Sequence, residues 1–172
     1  MGSALEHSVE FDFHIENALS ILNSYRNSSC KFVLKTEQET AIKELLKGND
    51  VLPTGFGKSI IFIVYLLAHS SFVEQTRGSS QSSVLVVSPL KSIICDQVLE
   101  VSLFNCSAME LSKETIHQIT TSPPQFIYCS AENCINKDFL DMLKDDGSQL
   151  HKSVEAIVVD ESHTIETWTG KW

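Results

Sequence analysis

Basic residues are scarce in this chain: thirteen lysines and arginines stand against twenty-two aspartates and glutamates, a formal charge of −9. A protein that grips duplex DNA mainly through its phosphates carries the opposite balance. Any nucleic-acid contact is therefore expected to be local, or to be supplied by another part of the protein. Paired cysteine motifs are also missing. The five cysteines (Cys30, Cys95, Cys106, Cys129, Cys134) are odd in number and none forms a C-x-x-C pair. Cys129 and Cys134 stand five apart with no second ligand pair, which is not a zinc spacing, and reduced intracellular thiols are the expectation. The longest apolar run, residues 60–68, reaches about half of the ~20 residues that a membrane span needs. No membrane association is expected. The first residues show no cleavable leader pattern, and Glu6 occupies the place where a myristoylation signal requires Ser or Thr. No internal repeat is visible.

What is present suits one packed domain. The chain has 172 residues, 42% hydrophobic and 20% charged, enough apolar material to bury a core. Residues 1–30 are polar and predict an amphipathic helix near 15–25, with Ile15, Ala18, Leu19 and Leu22 on one face. A second helix is predicted over 36–46, with Thr36 as its cap, and Gly48-Asn49-Asp50 ends it. Beyond that the pattern alternates. Short apolar runs at 83–88, 125–130 and 155–160, with a fainter one at 106–111, are separated by helical stretches at 58–69, 91–100, 113–120 and 131–144. Runs that are apolar throughout suit strands buried on both faces of a parallel sheet. The order predicts an α/β fold, a mostly parallel β-sheet covered by helices on both faces. The serine-rich stretch 70–83 reads as a mobile surface loop.

The strongest local signal is Leu52-Pro53-Thr54-Gly55-Phe56-Gly57-Lys58-Ser59. Gly55 and Gly57 permit backbone angles that turn successive N–H groups inward into an anion nest. A helix starting near Lys58 adds its positive end. The Lys58 ammonium reaches β- and γ-phosphates, and the Ser59 hydroxyl is a Mg²⁺ ligand. A glycine turn ahead of an ordinary helix would share part of this pattern, and Leu52 fills the slot where the general phosphate loop begins with Gly. A second element argues against the plain turn. Ala156-Ile157-Val158-Val159-Asp160-Glu161-Ser162-His163, ~100 residues downstream, is an apolar strand ending in two acids. Such a strand delivers both carboxylates to the edge where α/β sheets bind ligands. Asp160 is expected to hold Mg²⁺, and Glu161 to orient and deprotonate an attacking water.

Together P-T-G-F-G-K-S and D-E-S-H resemble superfamily 2 helicases, the RecQ-like group in particular. Leu34-Lys35-Thr36-Glu37-Gln38 resembles the short motif that precedes the phosphate loop. The resemblance gives Gln38 a bidentate bond to adenine and packs Lys35 on the base, where the family often has Arg. It includes Thr54, Gly55, Phe56 and Gly57 among the nucleotide contacts. Ser88-Pro89-Leu90-Lys91-Ser92 with Asp96-Gln97-Val98 is similar to the strand-to-helix motif that contacts single-stranded DNA. Phe126–Glu132 is similar to a later strand ending at Ser130, with Ala131 replacing the usual Pro. His163 takes a place beside the catalytic acids, and Trp168 falls in an aromatic-rich loop that couples DNA binding to hydrolysis. Stacking of such a ring on an unpaired base contributes roughly 1–3 kcal/mol. The resemblance spans about residues 34–172.

The resemblance implies a RecA-like P-loop domain over residues 31–172, partial at its C-terminus, behind an N-terminal extension over 1–30. It implies ATP and Mg²⁺ as cofactors, and single-stranded or forked DNA as a partner. A second RecA-like domain would supply an arginine finger, worth about 10³–10⁵ in rate. Unwinding in the 3'–5' direction and a nuclear role in DNA repair or recombination are implied too. Without the second domain, slow or absent hydrolysis is expected. A further departure is the strand ahead of the phosphate loop, about three residues short, which costs ~10 Å of reach. Strain in the loop, or an unwound preceding helix, is the expected consequence. Two other readings remain: a non-catalytic helicase fragment that binds nucleotide, DNA or a partner without turnover, and a small P-loop kinase or GTPase, which the missing N-K-x-D motif disfavours.

Overall fold

The computed structural model describes residues 3–25, 31–51, 57–77 and 81–160, with side chains from residue 11 onward. The chain divides into two compact units, Met1–Ser80 and Gln81–Trp172.

The first unit is helical. Helix α1 (Ser3–Tyr25) packs on α3 (Lys58–Arg77), and α2 (Thr36–Leu46) packs on both. Phe11, Ile15, Ala18 and Leu22 form the buried stripe of α1, the i, i+4, i+7 spacing of one helix face. His14 lies on that stripe, fully buried, and its Nδ1 meets Ser71 Oγ at 3.0 Å. The ring of Phe72 stands edge-on to both Phe11 and His14. These contacts explain why α3 continues to Arg77 when its serines predict a loop from residue 70. The α1 face supplies burial and a hydrogen-bond partner that local propensity does not register. By length and composition α3 would also pass for a membrane span. Its packing against α1 and α2 gives the apolar sequence a core to fill.

Between α1 and α2, Lys43 bonds both Asp12 (2.6 Å) and Glu39 (2.7 Å). The Asp12 and Glu39 carboxylates hold its ammonium above the usual lysine range. Helix α2 is not capped by Thr36, which is its first residue. Instead the Gln38 side chain turns back and accepts from the Lys35 N–H at 2.9 Å. The helix closes as predicted. Gly48 adopts φ +79° and donates to Leu45 O, while Asn49 N donates to Glu44 O, a left-handed exit that only glycine takes without strain. Helix α2 therefore keeps its last turn and does not unwind toward the phosphate loop. Residues 49–51 carry no strand, and 52–56 lie outside the described residues.

The second unit is a four-stranded, all-parallel sheet in the order β2-β3-β1-β4. Its strands are β1 (Ser83–Val87), β2 (Ala108–Glu110), β3 (Phe126–Cys129) and β4 (Val154–Val159). Every residue of β1 and β3 is buried, as their unbroken apolar runs predict. One face of these strands (Leu85, Val87, Ile127, Cys129) meets Leu111, Ile119, Phe139 and Leu150. The last three come from α5 (Ile116–Thr121), α7 (Lys137–Lys144) and α8 (Gln149–Ser153). Helix α4 (Lys91–Ser102) packs on β2 and β3. The predicted α/β parallel architecture is what the unit adopts. Strand β4 departs from expectation. It alternates between half-buried and exposed, with Ile157 58% exposed, so only one of its faces is covered.

The single helix predicted over 131–144 is two: α6 (Ala131–Cys134) and α7. Asn136 interrupts them because its side chain caps α7, accepting from Asp138 N (3.0 Å) and Phe139 N (3.3 Å). Replacing Phe139, which is fully buried against the sheet, by Ala should lower the unfolding free energy by about 3–5 kcal/mol. Urea unfolding followed by circular dichroism measures this; a loss below ~1 kcal/mol would place the ring outside the load of the core.

Candidate nucleotide and nucleic-acid site

In the first unit the site is organised by one carboxamide. Gln38, at the third position of α2, is 9% exposed. Its Oε1 accepts from Lys35 N at 2.9 Å and its Nε2 donates to Gly57 O at 3.3 Å. The side chain thus ties the start of α2 to the residue ahead of α3. An amide oxygen has a second lone pair and an amide nitrogen a second hydrogen. The orientation is fixed while one donor and one acceptor stay chemically available, the pair that adenine's edge requires.

Gly57 is held by two constraints. Its φ is +94°, and a Cβ there would lie 2.6 Å from Gln38 Nε2. Helix α3, 20 residues long, starts directly after this left-handed glycine, and the first N–H groups of any α-helix have no carbonyl partner within the helix. Lys58 and Ser59 are the first two residues of that helix, both half-buried. The backbone therefore has the features a phosphate requires: a glycine where no side chain fits, and a helix start that favours negative charge. Lys35 is exposed just before α2. Thr54, Gly55 and Phe56 lie outside the described residues.

In the second unit the sheet register sets the geometry. Because β4 runs parallel to β1, both carboxyl ends emerge side by side, and Asp160 N donates to Val87 O at 2.9 Å. On the other side Ser88 N donates to Cys129 O at 2.9 Å, so Ser130 follows at the same edge. Asp160 is half-buried, and its Oδ2 accepts from Gln97 Nε2 of α4 at 3.2 Å. Gln97 was legible as part of the D-Q-V motif, but nothing in the sequence pairs it with the acid. The Asp160 carboxylate is a hard oxygen donor of the kind that suits Mg²⁺, and the described residues bring no cluster of three or more His, Cys, Asp or Glu side chains together. Beneath this edge Tyr128 is fully buried, and burial first, then the charges of Glu100, Cys106 and Asp160, push its phenol well above the usual range. It is a neutral hydroxyl.

Ser88, expected among the nucleic-acid contacts, is fully buried where the chain leaves β1. Lys91, the first residue of α4, is exposed, and Pro89 is half-buried. Ser130 is half-buried and caps α6, its Oγ accepting from Asn133 N at 3.3 Å. Glu161, His163 and Trp168 lie outside the described residues.

Compared with known proteins, residues 35–172 match the DEAD/DEAH box helicase family. The chain is 30% identical over 142 residues to ATP-dependent DNA helicase Q-like 5 of Arabidopsis thaliana, covering 77% of this chain and 14% of that protein. It is 29% identical over 126 residues to ATP-dependent DNA helicase RecQ of Synechocystis sp., covering 69% and 23%. Against the probable ATP-dependent DNA helicase RecS of Bacillus subtilis the identity is 28% over 151 residues, covering 78% and 26%. The chain thus spans about a quarter or less of the length of these relatives. Since the family match begins at the Lys35 whose backbone Gln38 holds and runs on through the strand that ends at Asp160, this chain belongs to the DEAD/DEAH box helicase family.

Proposed function

We propose that this chain is the ATP-binding motor domain of a RecQ-like DNA helicase, working 3'–5' on single-stranded or forked DNA together with a second RecA-like domain. The observation that carries the reading is the Gln38–Gly57 bond, which sets an adenine-type amide beside a glycine turn that opens a helix on Lys58. Bound ATP supplies the phosphoanhydride whose cleavage drives strand separation. Lys58 neutralises its terminal phosphates, while Ser59 and Asp160 hold Mg²⁺. Gln97 fixes the Asp160 carboxylate, so the metal ligand is oriented before nucleotide arrives. Lys35 packs on the base and Thr54, Gly55 and Phe56 complete the phosphate loop. Glu161 activates the attacking water with His163 beside it. Pro89, Lys91 and Ser130 face single-stranded DNA at the carboxyl edge, with Trp168 as a stacking ring.

A non-turnover fragment is the second reading, favoured by residues 49–51, which form no strand ahead of the phosphate loop. Calorimetric titration of Mg²⁺–ATP into the whole chain separates nucleotide binding from its absence. Binding weakened by about 10–100-fold in Lys58→Ala, the range of a charge-assisted hydrogen bond of ~1.5–3 kcal/mol, is the expected result. A folded chain that binds no nucleotide would overturn the proposal. Hydrolysis stimulated by single-stranded DNA, assayed with and without the second domain in trans, then separates a motor half from a fragment without turnover.

Two further outcomes follow from the geometry. Gly57→Ala should cost about 1–2 kcal/mol of stability in denaturant unfolding, because an L-residue is strained at φ +94°. It should also weaken ATP, since its Cβ displaces the Gln38 amide. Gln97→Leu, close in shape but without the donor, should raise the Mg²⁺ concentration needed for nucleotide binding by about fivefold, ~1 kcal/mol for a half-exposed bond, without lowering the melting temperature. An unchanged Mg²⁺ requirement would remove Gln97 from the site.

A further inference from the structure

Helix α6 folds a cysteine back onto the strand it has just left. Cys129 is the last residue of β3, fully buried in the cluster beneath α5, α7 and α8. Cys134 ends α6, half-buried, and packs against that same cluster. Three hydrogen bonds hold the intervening turn. Cys134 N donates to Ser130 O at 2.9 Å, Asn133 N to Ser130 Oγ at 3.3 Å, and Asn133 Nδ2 to Leu111 O at 2.9 Å. The Cys134 side chain thus packs against the cluster in which Cys129 sits, one helical turn after the strand ends.

The chemistry of the pair is unequal. The neighbouring Cys129 thiol holds the Cys134 thiol below its usual range against the opposing effect of burial, while Cys134 and then burial push Cys129 up. The other described cysteines lack this arrangement. Cys106 is buried and pushed up to about 11 by burial alone, and Cys95 is exposed. A thiolate-prone sulfur with partial access, backed by a second thiol in the same packed cluster, is the arrangement of an oxidisable dithiol.

We propose that Cys134 and Cys129 form a peroxide-oxidised thiol pair that closes to a disulfide across Ser130–Asn133. The Cys134 thiolate attacks one oxygen of hydrogen peroxide, breaking the O–O bond. Sulfur is oxidised to a sulfenic acid, and the departing hydroxide takes up a proton as water. The Cys129 sulfur then attacks the sulfenic sulfur, forming S–S, and the sulfenic oxygen leaves with the Cys129 proton as a second water. Two thiols and one peroxide yield one disulfide and two waters. The product tethers the end of β3 to α6 and fixes the turn that Ser130 caps. None of this depends on nucleotide or DNA binding.

The test treats the reduced whole chain with stoichiometric hydrogen peroxide, alkylates the remaining thiols, and maps tryptic peptides by mass. Cleavage after Lys113 and Lys137 puts both cysteines in one peptide. The expected product is that peptide two hydrogens lighter, unalkylated, and returned to two alkylated cysteines by reductant, with Cys95 and Cys106 still alkylated. Cys129→Ala should stop the reaction at a Cys134 sulfenic acid that dimedone traps. Cys134→Ser should leave Cys129 reduced. In the unoxidised protein, the pH of half-maximal iodoacetamide labelling at Cys134 should lie below the ~8.5 of a free thiol and rise in Cys129→Ala. The labelling measurement on the unsubstituted chain stands even where a variant fails to fold. Oxidation of Cys134 no faster than Cys106, or a disulfide found only between two chains, would overturn the proposal.

Discussion

Strand β1 is hydrogen-bonded on both sides, to β3 and to β4, and the residues at the carboxyl edge of the second unit take their places from that double register. Parallel pairing brings Val87, Cys129 and Val159 level. The residues that follow them (Ser88, Ser130 and Asp160) therefore leave the sheet together. A one-residue slip in any pair would exchange faces for every side chain on that strand. The buried runs of β1 and β3 make such a slip costly, since Leu85 and Ile127 pack with Phe139 and Leu150 on one side only. The core of this unit thus fixes the position of its chemistry.

The first unit solves a different problem, how to hold a turn in a left-handed conformation. Gln38 does so by spending one acceptor on Lys35 N and one donor on Gly57 O. The same carboxamide closes the N-terminus of α2 and braces the residue before Lys58. Helix α3 packs in turn along α1, whose buried stripe holds Phe11, His14, Ile15 and Ala18. The polar N-terminal segment, which matches no family motif in sequence, has this structural task within its unit.

The parts legible in sequence were those governed by short-range rules. The apolar runs gave β1 and β3 to within a residue or two because strands buried on both faces leave no polar positions, and gave the bounds of β4 although only one of its faces is covered. Gly48 ended α2 because only glycine takes its exit angle cheaply. What escaped were features decided across the chain. Ser70 and Ser71 read as loop, yet Ser71 bonds His14 fifty-seven positions away. Asn136 looked like any helix residue until its side chain capped a new helix, and α8 begins on a similar cap, Ser148 accepting from His151 N. At the site, Gln38, Gly57, Gln97 and Asp160 each stood in a readable motif, but the bonds joining them are tertiary. The burial of Ser88 was not legible either, since a serine at a strand end reads as exposed from sequence alone.

The placement of polar groups beneath the acidic strand end runs against stability. Ser88 Oγ, Gln97 Oε1 and Tyr128 OH are all buried without a protein hydrogen-bond partner among the described residues, and such atoms cost about 1–3 kcal/mol each. Valine, leucine and phenylalanine would fill the same volumes without that cost. The three residues belong to consecutive parts of the edge: Ser88 follows β1, Tyr128 lies on β3, and Gln97 faces Asp160 from α4. Their common feature is proximity to one half-buried carboxylate. A neutral donor beside a half-buried carboxylate, as Gln97 Nε2 is to Asp160, stabilises its charge without neutralising it. On the metal-holding role proposed for Asp160, these polar atoms serve that acid, and the stability they forgo is offset by the apolar packing of Leu85, Val87 and Ile127 just below.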